Sequence, residues 1–145
     1  MTSSQQLPKS ERINSKKLID RLFKGGGAKS MSAFPLRVVF MTEDGDAHEP
    51  FAQMMVSVLK RFFKRAVKRN LVKRLVREAY RRNKQVLIDT LLTAEQRKTL
   101  SLCFIWTDHN LRSYEEVERK TANLLQRIAE KIGKDMAEEA ENAEQ

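Results

Sequence analysis

SLCFIWTD, residues 101–108, decides the fold. It holds no charge before Asp108, and its apolar side chains alternate: Leu102, Phe104 and Trp106 on one side, Cys103 and Ile105 on the other. Successive side chains of a strand point to opposite faces, and a strand apolar on both must be covered on both. The stretch therefore predicts an inner strand of a sheet with helices packed against it. Cys103 is the single cysteine, which excludes an intramolecular disulfide and a thiolate metal cage and predicts a buried, inert thiol.

Downstream, Ser113 followed by Glu116 has the spacing of a capping box. Val117, Thr121, Leu124, Leu125, Ile128 and Ile132 then recur as the buried stripe of a helix, with Gly133 predicted to end it. Residues 134–145, acidic and alanine-rich, predict a disordered tail. Upstream, QVLIDTLLTAEQRKTL (85–100) fits a short helix and a connector. Two earlier runs, Phe34 to Met41 and Phe51 to Leu59, are rich in β-branched and aromatic residues and predict strands. EDGDAHEP (43–50) between them predicts a hairpin turn, so Glu43, Asp44 and Asp46 count as turn chemistry rather than as metal ligands or a general acid and base. Ile13, Leu18, Ile19, Leu22 and Phe23 are spaced for a first helix over 15–24, stopped by Gly25, Gly26 and Gly27. No strand precedes these glycines and no GK[ST] follows, so they are a helix stop rather than a phosphate loop.

The expected fold is α+β: a small, mostly antiparallel, four-stranded-type sheet packed with three helices, in the order α-β-β-(β)-α-β-α, a ribosomal-protein-like sandwich. Residues 1–10 are expected to form a flexible leader, 11–133 a single domain, and 134–145 the tail. Charge points to the partner. The chain has 28 Lys and Arg against 19 Asp and Glu, a net +9 and a pI near 9.9, which favours a polyanion. No run approaches the ~20 apolar residues of a membrane span, and the start, MTSSQQLPKSER, lacks the apolar run of a signal peptide. A cytoplasmic protein is expected. His48 and His109 have no partner at metal or triad spacing, so no catalytic side chain is predicted.

Between Lys60 and Lys84 stand twelve of the 28 basic residues, opposed only by Glu78. A solvated helix face usually interleaves signs at i,i+4, and this one does not. At about 100° per residue, Arg69, Asn70, Lys73, Arg74, Arg77 and Arg81 fall on one side, and Leu71, Val72, Leu75, Val76 and Ala79 on the other. Arginine dominates the stripe; its planar fork can hold two phosphate oxygens and stack on bases. Asn70, a poor helix former, can donate to and accept from a base edge or sugar hydroxyl. Lys60, Arg61, Lys64, Arg65 and Lys68 extend the surface upstream around Phe62 and Phe63, of which Phe63 is the predicted core residue. The residues alone also fit a ribosomal or other structured-RNA binding protein. A DNA-binding domain is disfavoured, because neither a helix-turn-helix partner nor a dimerising zipper accompanies the basic helix.

AVKRNLVKRLVREAYRR (66–82) resembles the signature of the bacterial ribonuclease P protein component, approximately A-V-x-R-N-R-x-K-R-x-x-R-E, agreeing at Ala66, Val67, Arg69, Asn70, Lys73, Arg74, Arg77 and Glu78. SVLKR (57–61) and SYEEVERK (113–120) are similar to flanking stretches of the same family. The chain departs from the signature at Leu71, where a second arginine is usual, and lacks the glycine usual before the A-V pair. Leu71 projects toward the apolar side, predicting tighter docking and one RNA contact fewer. The resemblance implies a protein subunit that binds the ribonuclease P RNA through the basic helix and holds the single-stranded 5′ leader of precursor tRNA between the first helix and the sheet. It offers Ile19, in place of an aromatic residue, with Phe23 and Arg37 as leader-binding candidates. It also implies cleavage by the RNA with magnesium ions bound mainly through that RNA, none assigned to the protein alone, and no membrane or obligate protein partner.

Overall fold

In the computed structural model, which describes residues 7, 11–12, 16–24, 26–45 and 50–144, the order is α1 (Lys16–Lys24), β1 (Lys29–Ala33), β2 (Leu36–Asp44), β3 (Ala52–Val58), α2 (Ala66–Asn83), α3 (Gln85–Leu91), β4 (Lys98–Trp106) and α4 (Tyr114–Glu144). The doubly apolar strand β4 is internal, as its pattern requires. Sheet order is β1-β2-β4-β3, with β4 antiparallel to β2 and parallel to β3.

This placement corrects the hairpin expected between β2 and β3. The two strands are not neighbours, because β4 pairs with both of them and the other edge of β2 pairs with β1. Glu43 and Asp44 belong to β2 itself, and Asp44 accepts a hydrogen bond from Lys98 at 2.7 Å. Asp46 and His48 lie outside the described residues, as do Ile13, Gly25 and, apart from Leu7, the predicted leader. The extra strand β1, KSMSA, carries too little apolar pattern to be read from sequence.

One face of the sheet presents Leu36, Val38, Phe40, Met54, Val56, Leu102, Phe104 and Trp106 to the large core, where Val72, Val76, Ala79 and Tyr80 of α2, Leu87 and Leu91 of α3 and the α4 stripe meet them. Each large side chain so buried contributes about 1.5–3 kcal/mol. The opposite face is covered by α1: Leu22 and Ile19 pack with Cys103, Met41, Met55 and Ile105. Gly26, just past α1, takes the left-handed φ of 75°, which glycine adopts without steric cost.

Half of the predicted capping box forms. The Glu116 N–H donates to Ser113 Oγ at 3.3 Å, while the Glu116 carboxylate accepts from Arg112 at 2.9 Å. The predicted stripe is buried throughout. Gly133 does not end α4, however, and the tail expected to be disordered continues as helix to Glu144. A glycine costs a helix about 1 kcal/mol, and that cost is offset here. The residues beyond it are mostly alanine and glutamate, Met136 packs against the core, Asp135 pairs with Lys29 and Lys131, and Glu139 pairs with Lys98.

Candidate nucleic-acid interface

The basic segment begins as a loop. Phe63 is buried in it as expected; Phe62 is half-buried, edge-on to His109 with ring centroids 4.8 Å apart and with the Arg61 guanidinium 4.9 Å from its centroid. The loop feeds α2, whose first turn holds no acid and whose N-cap, Arg65, makes no side-chain cap. The positive end of the helix dipole thus adds to Lys64, Arg65 and Lys68, all exposed.

Along α2, Asn70 and Arg74 are exposed, and Lys73 and Arg77 half-buried. No salt bridge among the described residues involves Lys60, Arg61, Lys64, Arg65, Lys68, Lys73, Arg74 or Arg77. The predicted stripe is therefore present, but two of its members, Arg69 and Arg81, and Lys84 at the end of the basic segment, are used differently. Arg69 turns back: its Nη1 donates to the carbonyls of Phe63 and Lys64, both at 2.8 Å, and so ties the basic loop to the helix. Arg81 donates to both Glu78 carboxylate oxygens, at 3.0 and 2.6 Å, and Arg82 adds a third contact at 3.2 Å. The Arg81 hydrogen bond, followed by the two guanidinium charges, holds the Glu78 carboxyl below the usual carboxylate range. Lys84 is buried against Glu11. The spacing of Glu78 to Arg81 and Arg82 carried the signal for this neutralisation; nothing in the sequence signalled the other two.

Leu71 is corrected as well. It does not seat in the core but stands 36% exposed, and Val67, one turn earlier, is 79% exposed. Both belong to the outer surface of the helix among the cations, because the buried side is centred on Val72, Val76 and Ala79.

Across the sheet, α1 and the strands enclose a cleft of about 340 Å³ lined by Leu22, Phe23, Lys29, Ser30, Arg37, Val39 and Ile105, among others. Phe23, 52% exposed, and Arg37 meet there; Ile19 is not a lining residue and packs beneath α1 instead. A further aromatic–cation pair, unread in the sequence, closes the β1–β2 turn: the Arg112 guanidinium lies 4.9 Å from the exposed Phe34 ring, fixed by Asp108 and Glu116. Burial would raise the Asp108 carboxyl, but hydrogen bonds from Arg112 and from the Asn110 and His109 backbone outweigh it and hold the group low. Burial pushes the Cys103 thiol up to about 12. Among the described residues, no three or more His, Cys, Asp or Glu side chains converge on a point where a metal ion could sit, and no helix is long and apolar enough to cross a membrane.

Known proteins resemble this chain in sequence and fold. The model of the ribonuclease P family matches residues 7–129. The ribonuclease P protein components of two Porphyromonas gingivalis strains, ATCC 33277 and W83, are 43% identical over 124 residues, covering 85% of this chain and 86% of theirs. Among solved structures, the ribonuclease P protein from Thermotoga maritima superposes with a TM-score of 0.60 at 25% identity, covering 81% of this chain and 96% of that one. The Staphylococcus aureus ribonuclease P protein shares the fold, with a TM-score of 0.61 at 17% identity over 83% and 96% of the two chains. The chain belongs to the ribonuclease P protein component family.

Proposed function

We propose that this chain grips the ribonuclease P RNA with the basic loop and outer face of α2, namely Lys60, Arg61, Lys64, Arg65, Lys68, Asn70, Lys73, Arg74 and Arg77. In this reading Arg69 shapes the surface and Arg81 joins it at its far end. The observation that carries the proposal is the run of cations on one loop and helix face with no carboxylate partner in a salt bridge among the described residues. Like charges held together cost folding energy, and phosphates neutralise them with release of counterions. The cleft beside α1 takes the single-stranded 5′ leader of precursor tRNA, with Phe23 stacking and Arg37 meeting phosphate.

The chain's contribution to leader removal is then binding and positioning. It supplies cations between two polyanions, the RNA subunit and the substrate, and so reduces the magnesium needed to hold them together. Hydrolysis is carried by the RNA, with magnesium ions held mainly through that RNA. The test is the affinity of the reconstituted complex for precursor tRNA against mature tRNA. The protein should increase affinity for the leader-bearing substrate selectively, and Phe23→Ala should remove most of that preference. Equal strengthening of both RNAs would refute the leader role and leave a general structured-RNA binder.

A further inference from the structure

Phe62 and His109 lie in different loops, 59–65 after β3 and 107–113 after β4, yet their rings meet. The two strands are parallel neighbours, paired from Ala52 with Leu100 to Val58 with Trp106, so both loops leave the sheet at the same end. There the ring centroids stand 4.8 Å apart with the planes at 69°, and the Arg61 guanidinium lies 4.9 Å from the Phe62 centroid. Phe62 is half-buried and packs against the large core, whereas His109 and Arg61 are exposed. A ring anchored in the core thus seats an imidazole that offers its surface to solvent.

Both loops are pinned beside the rings. The Phe62 N–H donates to the Leu59 carbonyl at 3.1 Å, and Arg69 holds the Phe63 and Lys64 carbonyls. In the other loop, the Thr107 N–H and hydroxyl both donate to the Pro35 carbonyl at 2.9 Å, and Arg112 donates to Asp108 at 2.8 Å. The ring pair is therefore ordered before a ligand arrives, which lowers the cost of binding one. Its surroundings favour a nucleic acid. Lys60, Arg61, Lys64 and Arg65, which flank Phe62 in the chain, are exposed, while Asp108, which precedes His109, is buried and engaged by Arg112. An exposed ring among cations suits an unpaired nucleotide, whose base stacks while its phosphates meet the charges.

We propose that His109, seated on Phe62, is a stacking site for an unpaired nucleobase of the ribonuclease P RNA, so that the RNA-binding surface passes from the basic loop onto the loop between β4 and α4. The stacking site rests on the RNA-binding reading above and adds to it a residue outside the basic segment. His109 touches the ligand, and Phe62 is a positioning residue.

Binding of the full chain to the cognate ribonuclease P RNA tests it, with His109→Ala, His109→Phe and Phe62→Leu beside wild type. His109 is exposed, so its variants should keep the wild-type Tm. His109→Ala should lose roughly tenfold in affinity, and His109→Phe, which keeps a ring without a charge, should recover most of it. The log–log salt slope should not change, because stacking releases no counterion. A single-stranded RNA oligonucleotide and an abasic ribose-phosphate strand of the same length form the second arm. His109→Ala and Phe62→Leu should weaken binding to the oligonucleotide and leave the abasic strand at its wild-type affinity. Wild-type affinity in His109→Ala, no recovery in His109→Phe, or equal losses on the two strands would overturn the stacking site while leaving the RNA-binding reading intact. Weak, salt-insensitive binding by the wild-type chain would instead overturn that reading.

Discussion

Arg69 and Arg74 are five residues apart in a basic helix, yet their alanine variants should behave differently. Arg74 is exposed and in no salt bridge among the described residues, whereas Arg69 Nη1 donates to the Phe63 and Lys64 carbonyls, both at 2.8 Å. A hydrogen bond involving a charged group contributes about 1.5–3 kcal/mol. Partial exposure lets water replace part of this, so the two bonds together amount to about 1.5–2 kcal/mol. For a chain of 145 residues, 1 kcal/mol corresponds to roughly 4 °C in Tm, so Arg69→Ala should melt about 6–8 °C lower. Arg74→Ala should melt within about 1 °C of wild type. Both should weaken RNA binding, but Arg74→Ala through one lost phosphate contact, lowering the salt slope by about 0.7–0.9, and Arg69→Ala through a loosened basic loop. Thermal melts followed by circular dichroism, paired with salt titrations, separate the two effects. A wild-type Tm for Arg69→Ala would refute the account of the loop, as would a large Tm loss for Arg74→Ala.

Leu71→Arg restores the family's usual signature; because Leu71 is already 36% exposed, the variant should keep wild-type stability and bind RNA severalfold more tightly, with a slope steeper by about 0.7–0.9, and unchanged binding would mean the position faces no RNA. Gly133→Ala should stabilise the domain by about 0.5–1 kcal/mol, since the added Cβ would sit 3.7 Å from Thr90 Cγ2, an ordinary contact; urea denaturation measures it. Cys103, with its thiol raised to about 12 by burial, should resist a disulfide reagent at pH ~8 until the chain is unfolded. Glu78 has a folded pKa held below its unfolded value of ~4.3, so its contribution is full above that value and is lost as pH falls through the lower folded one. Glu78→Gln should therefore lower stability at pH ~6 and converge with wild type toward pH ~2.

What was legible in the sequence is what local pattern dictates. β4 reads as an inner strand because five alternating apolar residues leave no polar face, and α4 reads correctly from Val117 to Ile132 because one stripe repeats at helical spacing. Strand order was not legible: β2 and β3 are consecutive, and only the competition of β4 for the edges of both shows that they do not pair. The helix beyond Gly133 was lost for a similar reason, since Lys29 and Lys98, which hold Asp135 and Glu139, come from distant strands. At the interface, helical phasing found the cationic face but assigned Arg69 outward, although the carbonyls that capture it belong to a loop whose path no periodicity describes. Leu71 went wrong in the opposite sense: the helical projection put it on the apolar side, and the structure leaves it 36% exposed at the rim of that side.

The central claim is that this chain serves ribonuclease P RNA, and reconstitution tests it most directly. Purified protein and the RNA subunit from the same organism are mixed with precursor tRNA at a magnesium concentration where the RNA alone cleaves slowly but is active at higher magnesium. The account predicts that the protein restores accurate removal of the 5′ leader, and that a variant with Arg74, Lys73 and Lys68 changed to alanine does so only at lower salt. Failure of the wild-type protein to speed cleavage at any salt, with an RNA shown to be competent by itself, would contradict it.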